Sequence, residues 1–176
     1  MTETPEFPID KKQEFEKVRT PEELLSFMVQ NVRYGFIGRN KKVYADDNVE
    51  INSEMETEYS LQSPEELLES GYGICWDTVE LERRWFKEHG YKPETYFMLY
   101  AMEGGTTLPT HTFIVFKNND KWYWFEQAFA DQRGIHEYAN MEELIDDVKK
   151  KHHHYALQHW GATNEDFGRL RVAPYT

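Results

Sequence analysis

Apolar residues at helical spacing follow a helix-capping signature at three places in the chain. The signatures are Thr20-Pro21-Glu22-Glu23, Ser63-Pro64-Glu65-Glu66 and Asn140-Met141-Glu142-Glu143. In each, a short polar side chain caps the first backbone N–H groups, and a glutamate follows three residues later. The apolar residues behind these signatures predict a helix from 20 to about 33, a short helix that ends at Gly71, and a helix from 140 to about 160.

A fourth helix is predicted from residue 76 to residue 89, because the apolar residues there recur at the spacing of one helix face. Cys75, Val79 and Phe86 share that face, and Gly90 stops the helix. The chain that leads into this helix is Gly71-Tyr72-Gly73-Ile74. We expect the two glycines to leave room for another chain or a substrate to approach the sulfur of Cys75.

Three aromatic and apolar runs between the Cys75 helix and the last helix predict β-strands over 96–102, 110–116 and 121–126. The connection Asn118-Asn119-Asp120 is short and rich in turn residues, so the last two strands should form a hairpin. Helices followed by an antiparallel sheet are typical of an α+β fold, with the Cys75 helix laid against the sheet.

The remaining stretches give weaker patterns. Tyr34-Gly35-Phe36-Ile37-Gly38 should close the first helix, and a polar stretch over 39–60 follows, with short strands predicted near Val43-Tyr44 and near 49–51. This stretch is either a mobile surface segment or a functional flap at a substrate mouth. Residues 1–19 form either a short surface helix or a frayed arm.

Composition sets limits on the class of protein. The chain has 176 residues with 39% hydrophobic and 15% aromatic positions, enough for one domain whose large rings build the core without metal or disulfide staples. Its net charge of −12 repels nucleic acid and anionic membranes, so we expect neither as a partner. The acidic N-terminus does not resemble a signal peptide and no apolar run has the length of a membrane span, so we expect a cytoplasmic protein.

Cys75 is the only cysteine in the chain, and it stands where a helix begins. The positive end of a helix favours thiolate over thiol, which makes a cysteine a better nucleophile at neutral pH. Free cysteine is also among the most often buried residue types and packs like a small hydrophobic residue. This stretch alone therefore leaves nucleophile and core filler as equal alternatives.

A histidine and a carboxylate lie at the two ends of the predicted hairpin. His111 begins the first strand and Glu126 ends the second, and in an antiparallel hairpin these ends lie side by side, close to a direct cross-strand pair. A cysteine nucleophile needs a histidine base, and the base needs an acceptor that fixes its tautomer. Asp131 is the rival candidate for the acid, and Glu126 has the alternative role of a solvated charge at a strand end.

The motifs around these residues resemble a transglutaminase-like domain of the papain-like cysteine-enzyme superfamily. The matching stretches are Gly73-Ile74-Cys75, His111-Thr112-Phe113-Ile114-Val115 and Lys121-Trp122-Tyr123-Trp124-Phe125-Glu126, in the order of the family. The resemblance covers about 20–138 and departs from the family pattern at Glu126, where aspartate is usual. It implies a single transglutaminase-like domain over 1–176 with a C-terminal helical extension from 139, and a papain-like arrangement with extra N- and C-terminal helices.

The resemblance also implies a catalytic triad of Cys75, His111 and Glu126. Oxyanion stabilisation is expected from the backbone N–H of Cys75 and from a side-chain donor upstream of it. Tyr34 is the first candidate for this donor, and Tyr44 is the second. The other histidines include a group on the last helix that is expected to form a polar face and lacks the spacing of a metal site: His152, His153, His154 and His159. We therefore expect neither metal nor cofactor.

Two functions are compatible with this reading. The first is a cysteine-dependent acyl-transfer enzyme that attacks an amide or peptide carbonyl through a thioester, with a protein, a peptide or a small amide as substrate. The acyl acceptor is an amine in a transferase and water in a hydrolase, and no motif selects between them. The second is a catalytically inactive transglutaminase-like fold that serves as a protein-binding or regulatory module.

Overall fold

The computed structural model describes residues 10–45 and 51–176, together with the side chains of all of these except 51–53. The helices of the described residues are α1 (Lys11–Glu16), α2 (Pro21–Asn31), α3 (Ile51–Glu58), α4 (Pro64–Ser70), α5 (Cys75–Glu88) and α6 (Met141–His159). The strands are β1 (Arg33–Ile37), β2 (Val43–Ala45), β3 (Tyr72–Gly73), β4 (Glu94–Tyr100), β5 (His111–Asn118), β6 (Lys121–Glu126), β7 (Gly134–Tyr138) and β8 (Leu170–Tyr175). The predicted α+β class is therefore confirmed, and α1 and α6 provide the extra terminal helices.

The strands form two sheets. The larger one has five antiparallel strands in the order β7-β6-β5-β4-β8, and the smaller one has three in the order β2-β1-β3. In the smaller sheet, β1 pairs antiparallel with β2 and parallel with β3, which immediately precedes α5. The small sheet therefore fixes the backbone that leads to Cys75.

Helices cover both faces of the five-stranded sheet, and each face has its own apolar core. Ile114 and Phe116 of β5 belong to a core built with α1, α2, α4 and α5. Phe113 and Val115, which alternate with them along the strand, belong to a second core built with α6. Because alternate strand residues point to opposite faces, His111 lies on the α6 side, as do Phe113 and Val115.

The three predicted helix caps form as the sequence indicates. The side chains of Thr20, Ser63 and Asn140 each accept a hydrogen bond from the backbone N–H three residues later, at 3.2, 3.2 and 2.9 Å respectively. Each bond satisfies an N–H group that has no acceptor inside its own helix. The helix boundaries predicted from these caps are confirmed to within two residues.

The predicted hairpin of β5 and β6 is also confirmed. Its turn places Asn119 and Asp120 at φ angles of 50° and 64°, the left-handed conformation that two-residue hairpin turns require and that asparagine and aspartate tolerate. The two strands pair antiparallel from Asn118↔Lys121 to Ile114↔Phe125.

Several predictions for the N-terminal half were wrong. Residues 34–38 do not simply close α2, because 33–37 form strand β1 between two partners distant in sequence. The strand predicted near Val43 is β2, whereas the one predicted near 49–51 lies partly outside the described residues, and from Ile51 the chain is helix α3.

The C-terminal segment also differs from the expected helical extension. After α6, residues 170–175 form strand β8, which pairs antiparallel with β4 at the edge of the large sheet. Residues 134–138 form strand β7, which extends the opposite edge of the sheet. Within the described part of the chain, none of the helices combines the length and the apolarity needed to cross a lipid bilayer.

Candidate active site

The first turn of α5 is held by a buried carboxylate. Asp77 is fully buried, and its two oxygens accept hydrogen bonds from the backbone N–H of Ile74 at 2.9 Å, the backbone N–H of Gln62 at 2.9 Å and the hydroxyl of Tyr59 at 3.0 Å. A carboxylate at this position satisfies free N–H groups and favours the helix start electrostatically. Cys75, the first residue of the helix, is therefore set on a fixed backbone.

The two glycines before Cys75 meet two different local requirements, one of backbone conformation and one of packing. Gly71 ends α4 in the left-handed conformation with φ 72°, which glycine adopts without strain. A Cβ atom on Gly73 would lie 2.6 Å from Cδ1 of Leu67 and 3.1 Å from Cβ of Asp77. The space beside Gly73 is thus filled by side chains of α4 and α5.

His111 and Glu126 are joined by a buried hydrogen bond. Nε2 of His111 lies 2.8 Å from Oε2 of Glu126, and the two residues are 8% and 3% exposed. Glu126 also accepts from Nε1 of Trp124 at 3.1 Å and from the backbone N–H of Phe129 at 2.8 Å. Three donors on one carboxylate fix its orientation, and that carboxylate in turn fixes the ring of His111.

The register of the hairpin makes His111 and Glu126 diagonal neighbours. The ladder ends at Ile114↔Phe125, so its continuation would place Glu126 opposite Phe113 and not opposite His111. The expected near-direct cross-strand pair is therefore a diagonal pair on one face of the sheet. Diagonal neighbours are about 7–8 Å apart at their backbones, a distance that a long side chain spans more easily than a short one.

The Cys75 thiol lies beside the same imidazole. Burial lowers the pKa of His111, but the charge of Glu126 and hydrogen bonding to Cys75 and Glu126 raise it by more, so that its pKa is above the ordinary value. Because Nε2 is occupied by Glu126, Nδ1 is the nitrogen left for the sulfur. Cys75 as a residue is partly exposed.

The other predicted site residues lie in different surroundings. Asp131 is exposed in a short 3-10 helix, and Glu126 is the carboxylate bonded to His111. Tyr34 is half-buried on β1, opposite Gly73 of β3. It packs against a small apolar cluster at the start of α5 that consists of Phe36, Tyr44 and Ile74. Tyr44 is buried, and its hydroxyl accepts from Nδ2 of Asn40.

Sequence reasoning missed Tyr59, which lies beside this cluster. Burial raises the pKa of Tyr59, and the charges of Asp77, Cys75 and Tyr34 raise it further. Tyr59 therefore shares one neighbourhood with the nucleophile candidate and with the oxyanion candidate. Its place in the polar stretch over 39–60 gives no sequence signal, since the contact depends on the folding of α3 back toward α5.

Sequence reasoning also missed a second buried carboxyl, that of Glu82. Cys75, Val79, Glu82 and Phe86 recur at helical spacing, so a sequence signal was present. Glu82 is 2% exposed. Burial raises its pKa well above the ordinary value, the charges of Glu126 and Cys75 raise it further, and the charge of His111 lowers it. Glu82 therefore keeps its proton where an exposed glutamate has lost one.

We expect the substitution Glu82→Gln to stabilise the protein above neutral pH and to have little effect near pH 4.5. The folded state retains the Glu82 proton, whereas the unfolded state releases it above about pH 4.5, so stability falls as the pH rises beyond that value. An amide does not titrate and removes this loss, so the stability gained by the substitution should grow as the pH rises above about 4.5. Thermal unfolding followed by circular dichroism between pH 4.5 and pH 8 measures the difference.

The matched control for this substitution is Glu88→Gln, at the exposed end of the same helix. It should leave the pH dependence of stability unchanged. Parallel stability curves for Glu82→Gln and the unmodified protein would show that Glu82 is ionised in the folded state and would contradict the expectation.

The histidines of α6 do not form the expected polar face. His152 and His153 are buried at 3% and 6% exposure, whereas His154 and His159 are exposed. His152 and Ala156 continue the spacing of the buried Leu144 and Val148, which is the sequence signal for burial. Among the residues that the structure describes, no group of three or more His, Cys, Asp or Glu side chains is arranged to hold a metal ion.

A helix that begins at a cysteine and packs on an antiparallel sheet bearing a histidine and a carboxylate is the arrangement found in papain-like folds. A family model described as a transglutaminase-like domain matches residues 9–155. The chain belongs to this transglutaminase-like family, and the resemblance inferred from its motifs is confirmed. A search of curated protein sequences found no match.

Proposed function

We propose that the protein is a cysteine-dependent acyl-transfer enzyme that acts on an amide or peptide carbonyl through a thioester. The observation that carries the proposal is the buried 2.8 Å hydrogen bond between Nε2 of His111 and Glu126, on an imidazole that also interacts with Cys75. A nucleophile, a base and a group that orients the base are the parts that covalent acyl transfer requires.

In the proposed reaction, the thiolate of Cys75 attacks the carbonyl carbon and forms a C–S bond. As the C–N bond breaks, the imidazolium of His111 gives its proton to the leaving amine, which departs and leaves a thioester on Cys75. An amine or a water molecule then attacks the thioester and gives its proton to His111, and the C–S bond breaks to restore the thiolate. Glu126 orients the imidazole and stabilises its protonated form throughout.

The developing oxyanion needs hydrogen-bond donors. The backbone N–H of Cys75 lies in the first turn of α5, where N–H groups have no acceptor inside the helix, and is proposed as one donor. Tyr34 is proposed as the side-chain donor, supported by its position beside Gly73 on the strand that pairs with the approach to Cys75. Proteins, peptides or small amides are the proposed substrates, and the acidic surface favours basic ones.

The alkylation of Cys75 by iodoacetamide as a function of pH tests the proposal without knowledge of the substrate. We expect iodoacetamide to alkylate Cys75 of the folded protein readily at pH 7, and we expect the rate to fall by about 10-fold or more in His111→Ala. The reason is that the raised pKa of His111 keeps a positive charge beside the sulfur through neutral pH. Because the chain has one cysteine, every adduct detected by intact-protein mass spectrometry reports Cys75.

The control is His154→Ala, which removes an exposed histidine on α6 and should leave the alkylation profile unchanged. Slow labelling that begins only when the protein unfolds would contradict the proposal. That result would favour an inactive fold that serves as a protein-binding or regulatory module.

A further inference from the structure

A second imidazole packs against the ring of His111. His152 reaches it from α6, with the ring centroids 6.3 Å apart and the planes inclined by 17°. The edge of Phe129 contacts the same ring, with centroids 5.8 Å apart and planes at 70°. The ring of His111 thus packs against two side chains from outside its own strand, and one of them, His152, is polar and buried.

His152 also holds the backbone that leads into β5. Its Nε2 lies 3.0 Å from the carbonyl oxygen of Pro109, two residues before His111. A carbonyl only accepts hydrogen bonds, so Nε2 carries the proton and donates it. One side chain therefore contacts the ring of His111 and tethers the chain segment from which His111 projects.

The surroundings of His152 favour its neutral form. Burial and the charge of His111 lower its pKa to about 4, with a further lowering by the charge of His153, while the bond to Pro109 and the charge of Glu126 act in the opposite direction. Tyr100, from β4, faces it with an uncharged ring at a centroid distance of 5.8 Å. At neutral pH, His152 is therefore uncharged. It does not compete with His111 for the negative charge of Glu126.

We propose that His152 is a positioning residue for the reaction: a neutral imidazole that holds the ring of His111 in the plane that serves both Glu126 and Cys75. This inference rests on the proposed function. The ring of His111 must keep Nε2 on Glu126 and Nδ1 toward the sulfur, and a rotation about its side-chain bonds would break one contact or the other. The stacked ring and the tether at Pro109 both oppose that rotation.

The test compares His152→Ala, His152→Gln and the exposed-neighbour control His154→Ala. The readouts are the iodoacetamide alkylation of Cys75 over the full pH range and the thermal unfolding temperature. We expect His152→Ala to alkylate about 10-fold more slowly at pH 7, with its profile moved toward that of His111→Ala, because a misplaced group loses its effect steeply with distance. His152→Gln keeps a neutral N–H donor for Pro109 and should recover most of the rate.

The outcomes separate this inference from the proposed function. If the unmodified protein is labelled only on unfolding, the proposed function fails. If the unmodified protein is labelled as expected, but His152→Ala and His152→Gln both match His154→Ala at every pH, this inference alone is overturned, whatever their unfolding temperatures. If His152→Ala does not fold, His152→Leu, which fills the space without a donor for Pro109, takes its place. Slower alkylation of His152→Leu than of His154→Ala supports the inference, and a profile that matches His154→Ala overturns it.

Discussion

The substitution Cys75→Ser should lower kcat/KM for acyl transfer by about 10⁴- to 10⁶-fold, as is typical when the nucleophile of a catalytic triad is removed. Serine has nearly the same shape as cysteine, and residue 75 is partly exposed, so the fold should remain. The hydroxyl, however, must give up its proton as it attacks. A hydroxyl is a much weaker acid than a thiol, so the variant presents no anionic nucleophile at neutral pH.

An activated ester such as p-nitrophenyl acetate reveals the nucleophile without a known substrate. The unmodified protein should gain one acetyl group, detected by intact-protein mass spectrometry, and Cys75→Ser and Cys75→Ala should gain none. Incorporation of a fluorescent primary amine into a glutamine-containing protein, compared with ammonia release in the absence of amine, then separates transferase from hydrolase chemistry. Acetylation of Cys75→Ala at the unmodified rate would show that another side chain is the nucleophile.

The features predicted from sequence are those whose causes lie within a few residues. A cap at Thr20 or Asn140 acts on an N–H group three positions away, and the turn at Asn119 depends on its own backbone conformation. The proximity of His111 and Glu126 could be predicted for the same reason, because a hairpin brings its two strand ends together wherever it lies in the fold.

The features that sequence reasoning missed depend on partners far along the chain. Strand β8 pairs with β4, and in this pair Thr95 lies opposite Tyr175, 80 positions further along the chain. Strand β1 pairs in parallel with β3. A short strand of this kind is stabilised by its neighbours and not by its own pattern. The burial of Glu82 and His152 is an intermediate case: each occupies an apolar face at helical spacing, but a polar side chain is ordinarily expected on the solvent side.

Glu126→Gln should lower kcat/KM by about 10²- to 10⁴-fold while the protein stays folded, since loss of the acceptor behind a catalytic histidine favours the wrong tautomer. The amide keeps an oxygen for one of the donors that Glu126 now serves, yet its NH₂ group replaces an acceptor with a donor. The imidazolium of His111 loses its negative partner. The alkylation of Cys75 at pH 7 should therefore also become slower.

Glu126→Asp tests the diagonal geometry, and Asp131→Asn is the matched control. The family pattern has aspartate at this position. In this chain an aspartate side chain would be one methylene shorter than Glu126 and would have to span a diagonal pair. We therefore expect the variant to lose the 2.8 Å bond to His111 and at least about 10-fold in kcat/KM. Asp131 is exposed, and its substitution should leave both the rate and the alkylation profile unchanged. The opposite ranking, with Asp131→Asn impaired and Glu126→Gln unaffected, would transfer the role of the acid to Asp131. Full activity of Glu126→Asp would instead show that the sheet adjusts to either carboxylate and that the register does not select glutamate.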